Sequence, residues 1–165
     1  MNIANILSFI PLFFFLSSFL SIIINFIVNV NVLPNIIHFF GLILSTFTSE
    51  FLKAFIPYPD WCVKYTLRPI GANGCDYCSS NGIQEGKPGL PSGHMASTSY
   101  FVVYNILYSI KNKIKYSVQF IILNVILLIS MGWARITKKC HNLLQVLLGT
   151  LLGSTYAYFF YNINI

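Results

Sequence analysis

The fold is decided by residues 3–32, which read IANILSFIPLFFFLSSFLSIIINFIVNVNV. This stretch carries no charged side chain, and it is longer than the roughly 20 apolar residues that a helix needs to cross a bilayer. In the whole chain, 56% of the residues are hydrophobic and only 8% are charged, whereas soluble domains carry about 25% charged residues. The composition therefore excludes an ordinary soluble domain and a disordered chain. It indicates an all-α integral membrane protein.

Five apolar segments follow one another and predict about five transmembrane helices in a single membrane-embedded domain. They cover residues 5–30, 33–56, 92–110, 116–134 and 141–161. Residues 57–91 are rich in Pro, Gly and Cys, which predicts an ordered loop outside the membrane. The first Lys or Arg is Lys53, so the first span lacks the positive start of a cleavable signal peptide, and we expect it to be retained.

Alternating crossings place the loops 57–91 and 135–140 on one face of the membrane and the loop 111–115 on the other. The loop 111–115 holds three lysines and no acid, which favours the cytoplasm under the positive-inside rule. The opposite face is then lumenal or extracytoplasmic. All four cysteines fall on that face: Cys62, Cys75, Cys78 and Cys140. We expect a structural disulfide or unreactive thiols there, with a zinc site or a redox pair at Cys75 and Cys78 as alternatives.

The net charge of +6 points to an anionic partner. Lys and Arg are too few and too scattered to form the basic stripe of a nucleic-acid-binding protein, so we expect no nucleic acid. A membrane lipid or its phosphate group is the expected partner, within the lipid bilayer.

Three polar clusters interrupt the apolar sequence on the same predicted face. They are the Arg-Pro pair at 68–69, the Pro-Ser-Gly-His run at 91–94, and Arg135 followed six positions later by His141. Charged groups cost about 2.5 to 3.5 kcal/mol each at the centre of a membrane helix, so such groups are candidates for function. Ser92 is predicted to cap a helix whose N-terminal N–H groups bind an oxyanion, which Gly93 allows to approach closely.

His141 and Gln145 lie four positions apart, so they share a helix face, and the amide oxygen is placed to accept a hydrogen bond from the imidazole. An imidazole oriented in this way suits a nucleophilic or acid–base role. Arg68 and Arg135 supply guanidinium groups, each of which can donate hydrogen bonds to two oxygens of a phosphate group at once. Together these residues predict a phosphoryl-transfer pocket, whereas His38 is expected to be an interfacial or helix-packing histidine.

These motifs resemble those of the type 2 phosphatidic acid phosphatases, whose superfamily also includes the vanadium-dependent haloperoxidases. The family pattern is a Lys, six residues and Arg-Pro; then Pro-Ser-Gly-His; then Ser-Arg, five residues, His, three residues and Asp. This chain has the Arg-Pro pair of the first motif at 68–69 and the complete second motif at 91–94, and it has Arg135, His141 and Gln145 at the spacing of the third. The resemblance covers residues 44–152.

The resemblance implies a metal-independent phosphatase without a cofactor, acting on a lipid phosphate or lipid diphosphate of the phosphatidic acid or polyprenyl diphosphate type. His141 would attack phosphorus and form a phosphohistidine. His94 would protonate the leaving oxygen and then activate water. The transferred group would be held by residues carried over by position: Arg68, Ser92, Gly93, Arg135 and a lysine.

Three positions depart from the family pattern. Gln145 replaces the aspartate and Ala134 replaces the serine. The alternative function is therefore a weakened or inactive member that binds lipid phosphate or a partner protein. Trp61 stands where the family has its lysine. That role falls to Lys53, which the surrounding sequence favours, or to Lys64.

Overall fold

Helices dominate the computed structural model, which describes residues 3–55, 62–75, 82–113 and 117–163. In chain order the helices are α1 Ile3–Leu7, α2 Ile10–Ile27, α3 Leu33–Phe55, α4 Val63–Thr66, α5 Gly93–Lys111, α6 Ser117–Thr137 and α7 Leu143–Ile163. Within these residues no strand forms, and two isolated bridges, Leu67 with Pro88 and Asn73 with Ile83, tie the loop between α3 and α5 together. The predicted all-α membrane helix bundle is confirmed.

In the described part of the chain, four apolar segments are long enough to cross a membrane. They are Ile3–Ile27, Leu33–Phe55, Val118–Thr137 and Leu143–Ile163, and they match the first, second, fourth and fifth predicted spans to within a few residues. Their outward side chains are apolar and exposed, as Phe26 and Val118 show at 73% and 65%. Water-soluble monomers rarely expose apolar surface of this extent, so these faces suit contact with lipid.

The third predicted span corresponds to α5, which is the central helix and is more polar than the others. It packs against α2, α3, α6 and α7, and residues 93–100 are all buried. Polar side chains are among them: His94, Ser97, Thr98 and Ser99. Composition alone does not mark α5 as a span, because it carries polar side chains that face its neighbours and not lipid.

Small residues bring the backbones of α5 and α7 into contact. A Cβ added at Gly149 would lie 2.5 Å from the backbone oxygen of Ser92, and one at Gly153 would overlap the backbone oxygen of Ala96. Gly149, Gly153 and Ala157 follow at four-residue spacing, a pattern that lets membrane helices approach closely. As a result, the start of α5 lies beside the start of α7.

Candidate active site

His141 lies in the turn between α6 and α7 and is 2% exposed. Its Nδ1 is 3.0 Å from the backbone oxygen of Gly89 and 3.1 Å from Oε1 of Gln145. Because both partners are acceptors, Nδ1 carries the hydrogen and Nε2 keeps its lone pair. Gly89 is needed for this arrangement, since a Cβ there would lie 2.7 Å from Oε1 of Gln145. These contacts orient the ring and leave the lone pair on Nε2.

Gln145 is held by hydrogen bonds at both ends of its amide. Its Nε2 donates to the backbone oxygens of Tyr65 at 2.9 Å and Leu67 at 2.8 Å. Its Oε1 accepts from the backbone N–H of Asn142 at 3.3 Å as well as from His141. Gln145 therefore connects the histidine to the segment that leads into the Arg-Pro pair.

Arg68 is 8% exposed and is fixed by the loop that precedes α5. Its backbone N–H donates to the oxygen of Lys87 at 2.9 Å, and its Nη1 donates to Oε1 of Gln84. The same oxygen of Gln84 accepts from the backbone N–H of Cys75 at 3.0 Å. Gln84 was not among the predicted site residues, because nothing in its local sequence distinguishes it from other loop residues.

Arg135, at the end of α6, is fully buried. Its Nη1 donates to Oγ of Ser8 at 3.1 Å and its Nη2 to the backbone oxygen of Cys75 at 2.5 Å. Its own backbone oxygen accepts from the N–H of His141 at 3.3 Å. A guanidinium carries five N–H donors, so these bonds are compatible with phosphate binding. They also join α6 to the N-terminal helices, a contact through Ser8 that the motifs did not indicate.

A disulfide between Cys75 and Cys140 joins the loop to the residue that precedes His141. The expected disulfide is thus present, and it joins Cys75 to Cys140, so Cys75 does not pair with Cys78 in this structure. Cys62 is a free thiol, and Cys78 lies outside the described residues. Among the described residues no three His, Cys, Asp or Glu side chains gather in a way that would hold a metal ion.

The Pro-Ser-Gly-His run lies at the start of α5, but Ser92 does not behave as predicted. Ser92 occupies the N-cap position, yet its side chain makes no capping hydrogen bond, so its predicted capping role is wrong. Its Oγ is buried and has no hydrogen-bond partner within the described ranges. A buried hydroxyl without a partner is costly, and a phosphate oxygen at the helix N-terminus would satisfy it.

The two candidate lysines lie in different surroundings. A Cβ added at Gly93 would lie 2.9 Å from Oγ of Ser49 and 3.6 Å from Nζ of Lys53, so α5 and α3 meet closely here. Lys53 is 8% exposed and pairs with Glu50 at 2.5 Å, the one ion pair found in the part of the chain that the structure describes. Lys64 is exposed and lines a surface groove. The structure brings Lys53, and not Lys64, to the start of α5.

The second histidine of the site, His94, lies one residue inside α5 and is 5% exposed. It lies within electrostatic range of Arg135, His141 and Lys53. The motifs that are far apart in sequence therefore meet in one place, between the starts of α5 and α7 and the ends of α3 and α6.

The site is electropositive, and this affects the protonation of His141. Burial lowers the pKa of His141 well below its ordinary value, and nearby cations lower it further: Arg135, Lys53 and Arg68. The hydrogen bond with Gln145 acts in the opposite direction and is the smaller effect. His141 is therefore neutral at neutral pH, as a nucleophile must be.

Comparison with known protein families agrees with this arrangement. The family model described as the PAP2 superfamily matches residues 34–164, which is most of the chain. No match was found among curated proteins, and none among solved structures. The family indicates phosphatase activity on phosphate esters, and the resemblance to the type 2 phosphatidic acid phosphatases is confirmed. The chain belongs to the PAP2 superfamily.

Proposed function

We propose that the protein is a metal-independent phosphatase that hydrolyses a lipid phosphate or lipid diphosphate through a phosphohistidine. The observation that carries the proposal is the meeting of two histidines with three cations at the junction of α3, α5, α6 and α7. Phosphoryl transfer depends on positioning and on fixed positive charge around the transferred group, with little other demand on the protein.

In the first step, Nε2 of His141 attacks phosphorus while the bond from phosphorus to the lipid oxygen breaks. His94, protonated beside the bound phosphate dianion, transfers a proton to that leaving oxygen, so a lipid phosphate departs as a neutral alcohol and a lipid diphosphate departs as a lipid monophosphate. The hydrogen on Nδ1 of His141 stays with its acceptors, the oxygens of Gly89 and Gln145. A covalent intermediate of this kind divides one difficult displacement into two easier ones.

In the second step, water attacks the phosphohistidine and the bond between phosphorus and Nε2 breaks. His94, now neutral, takes the proton from that water, and phosphate leaves. Lys53, Arg68 and Arg135 stabilise the charge that spreads over the phosphoryl oxygens in both steps. The hydroxyl of Ser92 and the backbone N–H of Gly93 supply further hydrogen bonds to these oxygens.

An apolar groove lined in part by Asn142, the residue after His141, supports a lipid as the substrate. It has a volume of about 410 Å³ and is lined by residues of the α4 segment and of the start of α7: Lys64, Tyr65, Asn142, Leu143, Leu144 and Leu147. Volumes of this size are typical of ligand sites. An acyl or prenyl chain in this groove would place its phosphate beside the histidine, with Lys64 at the rim.

We further propose that the site faces the lumen or the cell exterior. The disulfide at the site supports this side, because disulfides persist in oxidising compartments. Lys111 and Lys113 lie at the other end of α5. In sealed vesicles of known orientation that carry a Cys62→Ser, Cys78→Ser background, an impermeant maleimide should label Ile70→Cys from the extracytoplasmic side and Asn112→Cys only after permeabilisation. The reverse pattern would overturn the topology.

A second candidate function is a weakened or inactive member that binds lipid phosphate or a partner protein. Two observations favour it. The neutral Gln145 occupies the place of a carboxylate, and Ala134 is fully buried and offers no hydroxyl to a phosphate. Loss of an orienting carboxylate costs other enzymes several orders of magnitude in turnover.

Phosphate release separates the two functions. Purified protein in detergent with excess chelator is incubated with phosphatidic acid or farnesyl diphosphate, and wild type is compared with His141→Ala. We expect release by wild type and at least a 10³-fold loss in the variant. Equal rates, or a strict need for added metal, would refute the proposed chemistry.

His38→Phe is the matched control, because His38 lies in α3 away from the site and the chain has three histidines in all. Its activity should stay close to that of wild type. Tight lipid phosphate binding without release, lost in Arg68→Ala, would favour the binding function.

A further inference from the structure

A cleft with several polar side chains in a mostly apolar lining lies at the other end of the bundle from the candidate active site. It has a volume of about 300 Å³ and is formed by α2, α3, α5 and their flanking turns, with Ser17, Ser18, Ser21, Asn35, His38 and Tyr104 among its lining residues. His38 precedes Lys53 by fifteen positions in α3, which is about 22 Å along a helix. The cleft is therefore a different place from the phosphoryl site, and the inference below does not depend on the proposed function.

Two buried polar atoms at this cleft have no hydrogen-bond partner among the described residues: Oγ of Ser18 and Nε2 of His38. Ser18 is 3% exposed. The two neighbouring serines of α2 do have hydrogen-bond partners. The hydroxyl of Ser17 donates to the backbone oxygen of Phe14 at 3.1 Å, and the hydroxyl of Ser21 donates to the backbone oxygen of Ser18 at 2.7 Å. In a helix bundle surrounded by lipid, a polar atom without a partner costs free energy.

The His38 ring is held in place by contacts that leave this nitrogen unused. Its centroid is 4.4 Å from that of Tyr104 and 5.6 Å from that of Tyr100. The hydroxyl of Tyr100 donates to the backbone oxygen of His38 at 3.0 Å. His38 is thus the packing histidine that the sequence predicts, and it also lines the cleft, with its Nε2 buried and without a partner among the described residues.

The chemistry of the lining selects a neutral group. Among the residues that line the cleft, all of them described, there is no Asp, Glu, Lys or Arg, so a charged headgroup would find no counter-ion. A hydroxyl group donates one hydrogen bond and accepts others, which matches one ring nitrogen and one serine hydroxyl. The volume lies at the low end of ligand sites, enough for a hydroxyl and the carbons next to it.

We propose that this cleft binds a neutral lipid alcohol, with the hydroxyl between Ser18 and His38 and the chain leaving along the bundle toward the surrounding lipid. One hydroxyl group that reached both side chains would supply the partner that each atom lacks, by donating to the ring nitrogen and accepting from the serine hydroxyl. The bilayer supplies the apolar surroundings that the chain requires.

The probe is hexadecanol with a diazirine near the hydroxyl end, photoactivated in proteoliposomes that contain the full chain. We expect peptide mapping to place the label in α2, α3 or α5 around the cleft, and we expect unlabelled hexadecanol to compete. The methyl ether of the same alcohol, which cannot donate a hydrogen bond, should compete at least about fivefold less well. Hexadecanoate, which is charged, should compete poorly.

Ser18→Ala and His38→Phe should each reduce competable labelling about fivefold, whereas Ser21→Ala, whose hydroxyl already serves its own helix, should leave it within twofold. Phosphatase activity, or phosphate binding if the protein is inactive, reports that each variant is folded. Labelling that is spread over the lipid-facing surface, or that is equal in wild type, Ser18→Ala and His38→Phe, would overturn the proposal. Equal competition by alcohol and ether would do the same.

Discussion

The two ends of the helix bundle both bury histidine, but in opposite electrostatic surroundings. At the candidate active site, His141 is surrounded by Arg135, Lys53 and Arg68. At the cleft, His38 has aromatic rings and hydroxyl groups around it and no formally charged neighbour among the described lining residues. Burial alone therefore does not define a histidine's role in this protein. The charges that share its site decide whether the surroundings suit a phosphate or a neutral group.

The two ends also differ in how they are held. The active-site end is fixed by the disulfide and by backbone contacts between α5 and α7 at Gly149 and Gly153. The cleft end is held by aromatic packing, such as the stacked rings of Phe14 and Phe101 at 4.1 Å. We expect changes at the first end to affect catalysis, and changes at the second end to leave it nearly intact.

The largest expected effect comes from removing positive charge at the active-site end. Lys53→Ala should lower kcat/KM for phosphatidic acid by about 10² to 10³, the usual cost of losing one group that stabilises the transition-state charge. Lys64→Ala removes the same charge from an exposed position and should change kcat/KM by less than about threefold. If Lys64→Ala has the larger effect, the placement of the phosphate beside Gly93 is wrong.

The disulfide should have the next largest effect. A Cys75→Ser, Cys140→Ser double variant loses the link between the loop and His141, so we expect kcat/KM to fall at least about tenfold. The free energy of unfolding in detergent should fall by about 2 to 4 kcal/mol, as is typical for the loss of a disulfide. Cys62→Ser, the free-thiol control, should resemble wild type.

Reduction gives an independent check of the same link. Dithiothreitol should lower wild-type activity toward that of the double variant and should not change the double variant further. Wild-type activity in the double variant would show that the bridge does not position the site.

A shift in pH dependence should follow from changing Gln145. His141 is nucleophilic only when it is neutral. The fall of kcat/KM toward acid pH, the acid limb of its pH profile, therefore reports the pKa of His141 in the free enzyme. Gln145→Glu places one carboxylate oxygen beside Nδ1, which raises that pKa and moves the acid limb to higher pH. The second oxygen of the carboxylate would face the backbone oxygens of Tyr65 and Leu67, so we also expect this variant to be less stable. Gln145→Leu removes a hydrogen bond that raises the pKa, so its acid limb should move to lower pH. Shifts of both variants in the same direction would contradict the assignment.

The smallest expected effect is at Ser8, whose hydroxyl accepts a hydrogen bond from Arg135. Ser8→Ala should lower kcat/KM about threefold, because Arg135 keeps its bond to the oxygen of Cys75. Ser17→Ala, which removes a hydroxyl bonded within its own helix, should have no measurable effect. A large loss in Ser8→Ala would mean that the N-terminal helices contribute more to the site than this geometry indicates.

Much of this fold could be predicted from the sequence because lipid imposes simple rules. In lipid, long uncharged segments such as residues 3–32 fold as helices, and the number of these segments gives the number of helices that cross the membrane. The central helix α5 shows the limit of such rules. Its polar residues are acceptable because of the helices that cover them, and a composition profile does not contain that information.

The site was predictable in its motifs but not in its supporting contacts. Spacing predicts that Gln145 faces His141. It does not predict that the amide nitrogen donates to the oxygens of Tyr65 and Leu67, because that depends on how a distant loop folds. A carboxylate oxygen at that place would face two carbonyl oxygens, so Gln145 is matched to its loop and is more than a weakened aspartate. The four-residue spacing of small residues in α7 indicates close packing against another helix, and the site motifs do not contain this signal.

Trapping the labelled enzyme would reveal whether His141 carries the phosphoryl group during turnover. Protein in detergent with chelator is mixed with phosphatidic acid labelled with ³²P in its phosphate, denatured at alkaline pH within milliseconds to seconds, and mapped by peptide. We expect label on the peptide that contains His141 and no label in His141→Ala. In His94→Ala, supplied with a substrate whose leaving group needs no proton, we expect the label to accumulate. Label on another residue, or rapid phosphate release by His141→Ala, would show that His141 is not the nucleophile.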